Sequence, residues 1–200
     1  MGTTRSFPDP IVRKLLKIYS NAHPNVHYEL FERSSSSLIS ALDDGIIEFA
    51  AIRGVRQLPD FVNVVASFNE HFCVLCAEDS DFLPKNTDTI ELTDLINKPL
   101  SISYSFRSYI QERCREYGFA PIIHSMNPSR STLLQWAEFD QALAVLPLSN
   151  DSSAPSHLRC YKIKGNPLSS KRLFVTKKGR KLSPPAAHLV ETVYTMFPPL

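Results

Sequence analysis

Glycine is scarce in this chain: there are six in 200 residues, and no two lie two residues apart. That spacing excludes the G-x-G-x-x-G loop of dinucleotide-binding folds and the G-x-S-x-G elbow of many hydrolases; a P-loop and an H-E-x-x-H pair are also missing. Cysteine is sparse as well. Cys73, Cys76, Cys114 and Cys160 are too few and too dispersed for a disulfide framework, which fits a reducing compartment. The one C-x-x-C, Cys73 to Cys76, falls in a strand-like run where residues three apart face opposite sides, and no second pair completes a zinc site. Buried apolar thiols are therefore expected, with no metal and no cofactor. Long apolar runs are wanting too: none approaches the roughly 20 residues of a spanning helix, and the N-terminus lacks the layout of a secretory signal. A cytoplasmic protein without a membrane partner is the expectation. Nor does one sign of charge dominate. Lys and Arg number 22 against 20 Asp and Glu, scattered along the chain, so these residues offer no dense basic footprint to nucleic acid.

What is present is an alternation. Pro10 can open a helix in which Ile11, Leu15, Ile18 and Tyr19 recur at helical spacing, so 10–22 reads as amphipathic and ends before Pro24. A β-rich "NVHYELFE" (25–32) follows, then a short helix with Leu38, Ile39 and Leu42 closed by Asp43-Asp44-Gly45, then the apolar strand "IIEFAAIRG". In the middle, "FVNVVASF" and "FCVLCAE" read as two successive strands parted by "NEH". Beyond them come a short helix at "LTDLIN", strand "PLSISYS", helix "RSYIQERCREYG", strand "PIIHSM", helix "STLLQWAEF" and strand "ALAVLPLS". Strands near 158–164 and 171–177 and a helix near 183–197 complete the chain. The pattern is an α/β protein of two lobes, 1–80 with 168–200 and an inserted 81–167, with crossovers near 78–84 and 165–170.

The run of serines from Ser34 to Ser37 sits at a strand-to-helix junction, where unpaired N–H groups and a partial positive charge attract anions. Hydroxyls recur at "TTRSF" (3–7), "SYSFRS" (103–108) and "NPSRST" (127–132), each before a helix. Open α/β sheets bind ligands at such junctions. Helix capping uses one hydroxyl, whereas each junction here has several, so Thr4, Ser6, Ser35, Ser36, Ser103, Ser105, Asn127 and Ser131 are candidate effector contacts. Arg53 at the end of its strand can clamp a carboxylate through two parallel hydrogen bonds, or pair with Asp43 or Asp44 at the surface. His23 and His27 are separated by Pro24 and do not share a helical face, and Glu78, Asp79 and Asp81 read as a solvated strand end.

The order "HPNVHYELFE", serines, "LISALDDGIIEFAAIR", extended by "RSYIQERCREYGFAP" and "LLQWAEFDQALAVLPLS", resembles the effector-binding domain of LysR-type transcriptional regulators over nearly the whole chain. The resemblance implies a two-lobed fold of the type 2 periplasmic-binding-protein kind, a small polar or anionic inducer between the lobes, and a homodimer or higher homo-oligomer. It matches Ser6 and Ser35 to hydroxyl positions at the first two junctions and Arg53 to a position where some members hold an anion. Ser103 and Ser105 fall in the facing loop, with Asn127 and Ser131 beside it. DNA would be bound only through a winged helix-turn-helix that precedes this domain in full-length members and is missing here, as expected for a truncated chain or, as the second choice, for a stand-alone ligand-binding protein. Where the family often has glycines, "EFDQA" places Asp140 and Ala142. A solute-binding protein of a transport system or an enzyme on the same fold are the rival readings.

Overall fold

The serines at 34–37 open a helix and not a linker. A computed structural model describes residues 1–4, 10–54, 57–148 and 154–197. In chain order the elements are β1 (Gly2–Thr4), α1 (Pro10–Ala22), β2 (Phe31–Arg33), α2 (Ser35–Asp43), β3 (Ala50–Arg53), β4 (Val62–Ala77), β5 (Thr89–Ile90), β6 (Pro99–Ser103), α3 (Arg107–Glu116), β7 (Ile122–Asn127), α4 (Arg130–Glu138), β8 (Leu143–Leu148), β9 (Leu158–Ile163), β10 (Ser169–Lys177) and α5 (Pro184–Met196). Short 3-10 turns at Leu92–Leu95 and Tyr104–Phe106 precede β6 and α3.

The chain divides into two units, Met1–Asn69 with Lys171–Leu200 and Glu70–Ser170. It passes from one to the other inside β4 and inside β10, while the segments near 78–84 and 165–170 both lie within the second unit. The two strands expected around "NEH" are one strand of 16 residues. Those three polar residues include neither Gly nor Pro, so nothing there turns the backbone, and Glu70 is fully buried. The strand expected at 25–32 is likewise confined to Phe31–Arg33.

In the first unit the strand order is β2-β1-β3-β10-β4. The β1, β2 and β3 strands are parallel, and β10 runs antiparallel to β3 with Arg172 opposite Arg53 and Phe174 opposite Ala51. Alternation sends Ala51, Val65 and Phe174 to the face covered by α1 and α5, where Val12, Leu15, Leu189 and Val193 are buried. The other face holds Ala50, Ile52, Leu173 and Val175 under Leu38 and Leu42 of α2. Each fully buried leucine there contributes about 1.5–3 kcal/mol. Gly2 has no side chain because α2 lies directly on it: an added Cβ would come within 2.8 Å of Ile47 Cδ1 and closer still to Leu38.

The second unit has the order β5-β9-β4-β8-β6-β7, with β6, β7 and β8 parallel. One face packs Val74, Leu100, Ile102, Leu143 and Val145 against Ile110 and Cys114 of α3; the other packs Leu75, Ala144 and Leu146 against Leu133, Leu134 and Ala137 of α4. Cys73 and Cys76 fall in these two different clusters, so the C-x-x-C is split across the sheet. All four cysteines are free. Burial pushes the Cys114 thiol up to about 11, so it stays a neutral apolar group.

Candidate functional site

Parallel pairing in the first unit brings the ends of β1, β2 and β3, Thr4, Arg33 and Arg53, to one edge, and α2 begins there. Ser34 is the N-cap: its extended backbone (φ −66°, ψ 156°) lets Oγ accept the Ser37 N–H at 3.2 Å. The same oxygen lies 3.0 Å from Ser36 Oγ and 2.8 Å from Ser37 Oγ. Ser35 works differently. Its hydroxyl donates to the Arg53 carbonyl at 2.7 Å and accepts the Arg53 N–H at 3.1 Å, fastening the start of α2 to the end of β3. The Ser35 proton is thus committed to the backbone. Ser36 is exposed, Thr4 and Arg53 are half-buried, and Ser6 lies outside the described residues.

Sequence reasoning missed Arg172. It is 1% exposed and sits directly across the β3–β10 pair from Arg53, so the two guanidinium-bearing side chains share a face of the sheet. The alternation Ser170-Arg172-Phe174-Thr176 carried the signal, since it sets an arginine on the face that packs inward. Asp43, one of the surface partners considered for Arg53, is paired with Lys177 at 2.8 Å.

The second unit repeats the arrangement, with Arg107 and Arg130 as the first residues of the helices that start at its edge. A β-bulge in β7 shifts the register from Leu100↔Ile123 to Ser101↔Ser125 and then Ser103↔Asn127, with His124 as the extra residue. The shift places Ser101, Ser103, Ser125 and Asn127 on one face of the sheet. Ser101, fully buried, donates to the Leu133 carbonyl of α4 at 3.1 Å and accepts from Ser125 Oγ at 2.8 Å and Asn127 Nδ2 at 3.0 Å. Asn127 also donates to Ser125 Oγ at 3.1 Å. Beyond this network lie paired hydroxyls: Ser103 with Ser105 at 2.9 Å, and Ser129 with Ser131 at 3.2 Å and with Thr132 at 2.9 Å. Ser129 caps α4 by accepting the Thr132 N–H. Asp140 takes φ 53°, the left-handed conformation that a glycine would adopt at no cost, so the turn into β8 keeps a glycine-like path.

The candidates therefore gather at two edges, each made by the carboxyl ends of parallel strands: Thr4, Ser35, Ser36 and Arg53 in the first unit, and Ser103, Ser105, Asn127 and Ser131 in the second. A cavity of about 370 Å³ in the first unit lies at the opposite, amino end of its strands, beside Tyr19, His27, Phe31 and Phe49. Of its two acidic residues, Glu29 and Glu48, the second is tied up structurally: Glu48 Oε1 and Oε2 accept from the N–H and Oγ of Ser183, the N-cap of α5, at 2.6 and 2.7 Å.

Parallel strands with hydroxyl-lined junctions, joined by antiparallel strands that carry the chain out of one unit and back, define the type 2 periplasmic-binding-protein-like class of fold. The family model described as LysR substrate binding domain matches residues 1–197, and the chain belongs to that family. Solved structures agree on the fold. The effector-binding domain of QuiR in complex with shikimate has a TM-score of 0.82 at 16% identity, covering 98% of this chain and 94% of that one. The C-terminal domain of a probable LysR family regulator from Rhodococcus sp. RHA1 has a TM-score of 0.78 at 15% identity, covering 96% and 97%. Full-length CbnR complexed with its target DNA has a TM-score of 0.77 at 18% identity, covering 97% of this chain and 68% of that one. No curated protein sequence matches the chain.

Proposed function

We propose that this chain is the effector-sensing domain of a LysR-type transcriptional regulator and that its ligand is a small anion bearing hydroxyl or other polar groups. The observation that supports the ligand class is the pairing of Arg53 with Arg172 across the end of β3. Arg53, with Arg172 beside it, offers a bidentate partner to a carboxylate. Ser103, Ser105, Asn127 and Ser131 offer neutral donors and acceptors to hydroxyls. Shikimate, the ligand of the QuiR domain, is a compound of that kind. The domain works by population shift: a ligand with different affinity for two arrangements of the regulator changes their balance, and a homodimer passes the change to winged helix-turn-helix heads that contact DNA. Binding without bond-making fits the serines, whose hydroxyls pair with one another and with backbone. No helix among the described residues is long and apolar enough to cross a membrane, and a regulator that meets DNA works in the cytoplasm.

Thermal unfolding against shikimate, other hydroxylated and plain carboxylates, sugar phosphates and uncharged polyols tests the reading. A ligand at about 100 times its Kd adds about 2.7 kcal/mol and raises the midpoint by roughly 5–10 °C for a chain of this length. Arg53→Ala then weakens an anionic hit by about 1.5–3 kcal/mol. A response to uncharged polyols alone, an Arg53→Ala variant with unchanged affinity, or chemical conversion of the ligand would refute it.

A further inference from the structure

The segment 25–30 has the residue types of a strand but joins none, and four of its residues line a cavity instead. Val26, His27, Tyr28 and Glu29 form one side of the space of about 370 Å³ at the amino end of the first unit's parallel strands, a volume within the range of small-molecule sites. The rings of Tyr19, Phe31 and Phe49 form its deeper wall, with Tyr19 and Phe49 buried. Apolar side chains at its rim are left in solvent: Tyr28 is 38% exposed and Ile46 64%. Packing of the first unit does not account for them, and the anion-binding edge lies at the other end of the sheet.

The charged groups of the lining decide what it attracts. They include Glu29 and Glu48 and neither Lys nor Arg. The one cation among them is the Met1 ammonium, which donates to the Glu29 carbonyl at 2.7 Å. Two carboxylates against one ammonium leave one negative charge in excess. Met1 itself senses that field: burial opposes its charge, whereas the charges of Glu29 and Glu48 both favour it. Ser183 holds both oxygens of Glu48, but Glu29 is exposed and its carboxylate enters no ion pair among the described residues. A ring face also draws a cation that comes within about 6 Å, and rings pack edge to face with other rings. We propose that this cavity binds a small organic cation, a primary amine on an aromatic body, with its ammonium at Glu29 and Tyr28 on the rim and its ring against Tyr19, Phe31 and Phe49. A carboxylate ligand is disfavoured here, because it would meet Glu29 and Glu48. The two ends of the first unit's sheet thus select ligands of opposite charge, and the amine site is independent of Arg53.

The test is an NMR titration of the nitrogen-15-labelled chain with phenethylamine, 2-phenylethanol and phenylacetate, probes that share a ring and differ in charge. The amine is expected to bind more tightly than the alcohol by about 3–30-fold, the combined worth of an exposed ion pair and a cation–π contact, and to move the amide signals of Glu29, Phe49 and Ala186. Phenylacetate should bind more weakly than either. Glu29→Gln, an exposed substitution that leaves the fold intact, should lower the preference for the amine over the alcohol by up to about 5-fold. Adding Tyr28→Leu, which keeps an apolar rim without a ring face, should bring amine and alcohol level. No saturable binding of the amine, equal binding of amine and alcohol by the wild type, tighter binding of phenylacetate, signal changes confined to residues away from the cavity, or a preference that survives in the double variant would each overturn the proposal.

Discussion

Ser101→Ala is the sharpest test of how the second hydroxyl edge is held. The Ser101 hydroxyl is fully buried and saturated: its proton goes to the Leu133 carbonyl and its lone pairs take Ser125 Oγ–H and Asn127 Nδ2–H. Truncation removes three hydrogen bonds, each contributing about 0.5–1.5 kcal/mol net. Part of the loss is recovered, because Asn127 keeps its bond to Ser125 and the Ser125 hydroxyl can rotate. A cost of about 2–3 kcal/mol remains, which at about 2–4 °C per kcal/mol lowers the midpoint by roughly 5–10 °C. The chain's single tryptophan, Trp136, lies in α4 with its ring centroid 5.0 Å from that of His124, so its fluorescence follows the unfolding of the elements the network joins. Ser125→Ala should cost less, and the double variant should fall short of the sum by about 1 kcal/mol, as expected for groups sharing a bond. A Ser101→Ala variant within about 0.5 kcal/mol of wild type, the range of an ordinary surface substitution, would refute the network.

Ser35→Ala should lower stability in urea by about 1–3 kcal/mol because both Arg53 backbone groups lose their side-chain partner, whereas exposed Ser36→Ala should change it by less than about 0.5 kcal/mol; the reverse order would break the proposed latch. Asp140→Gly should raise the thermal midpoint, with a gain of up to about 1 kcal/mol, because φ 53° strains any residue with a Cβ; a fall would contradict the left-handed turn. Glu48 gives a pH dependence. Burial opposes its ionisation, but the two bonds from Ser183 and the charge of Arg180 outweigh burial and hold its pKa below the ordinary 4.5. A lowered folded-state pKa means stability that is present above the unfolded value and lost as pH falls through the folded one. Urea midpoints of wild type and Glu48→Gln should therefore differ by a constant amount above about pH 5.5 and converge in acid; a gap that widens in acid would reverse the assignment.

The alternation of elements was readable because each helix and most strands carry their own punctuation. Pro10 opens α1, Gly118 at φ 83° ends the α3 turn, and Ser183-Pro184 starts α5. The long β4 was not readable, since "NEH" looks polar enough to break a strand and its burial depends on what covers it after folding. The same holds for β2, where "NVHYEL" has strand propensity but only Phe31–Arg33 finds a partner in β1.

The site was legible in its residue types and less so in their roles. A serine before a helix can cap it, tie it to a strand or face a ligand, and the sequence looks alike in all three cases. Here Ser34 caps, Ser35 ties and Ser36 is exposed, three adjacent identical residues separated only by the helical rotation between them. In the second unit the separation is made by a bulge. Were His124 paired in regular register instead of bulged, Ser101 would face His124 and Asn127 would sit one place beyond Ser103, so the buried network and the Ser103–Asn127 pairing would both be lost. Deleting His124 joins Ile123 to Ser125 and keeps Ser101 opposite Ser125 and Ser103 opposite Asn127 without a bulge, so a chain lacking His124 should keep the stability of the Ser101 network in thermal unfolding, and a loss as large as that of Ser101→Ala would contradict this register. That register shift, and not the count of hydroxyls, is what brings Ser101, Ser103, Ser125 and Asn127 to one face.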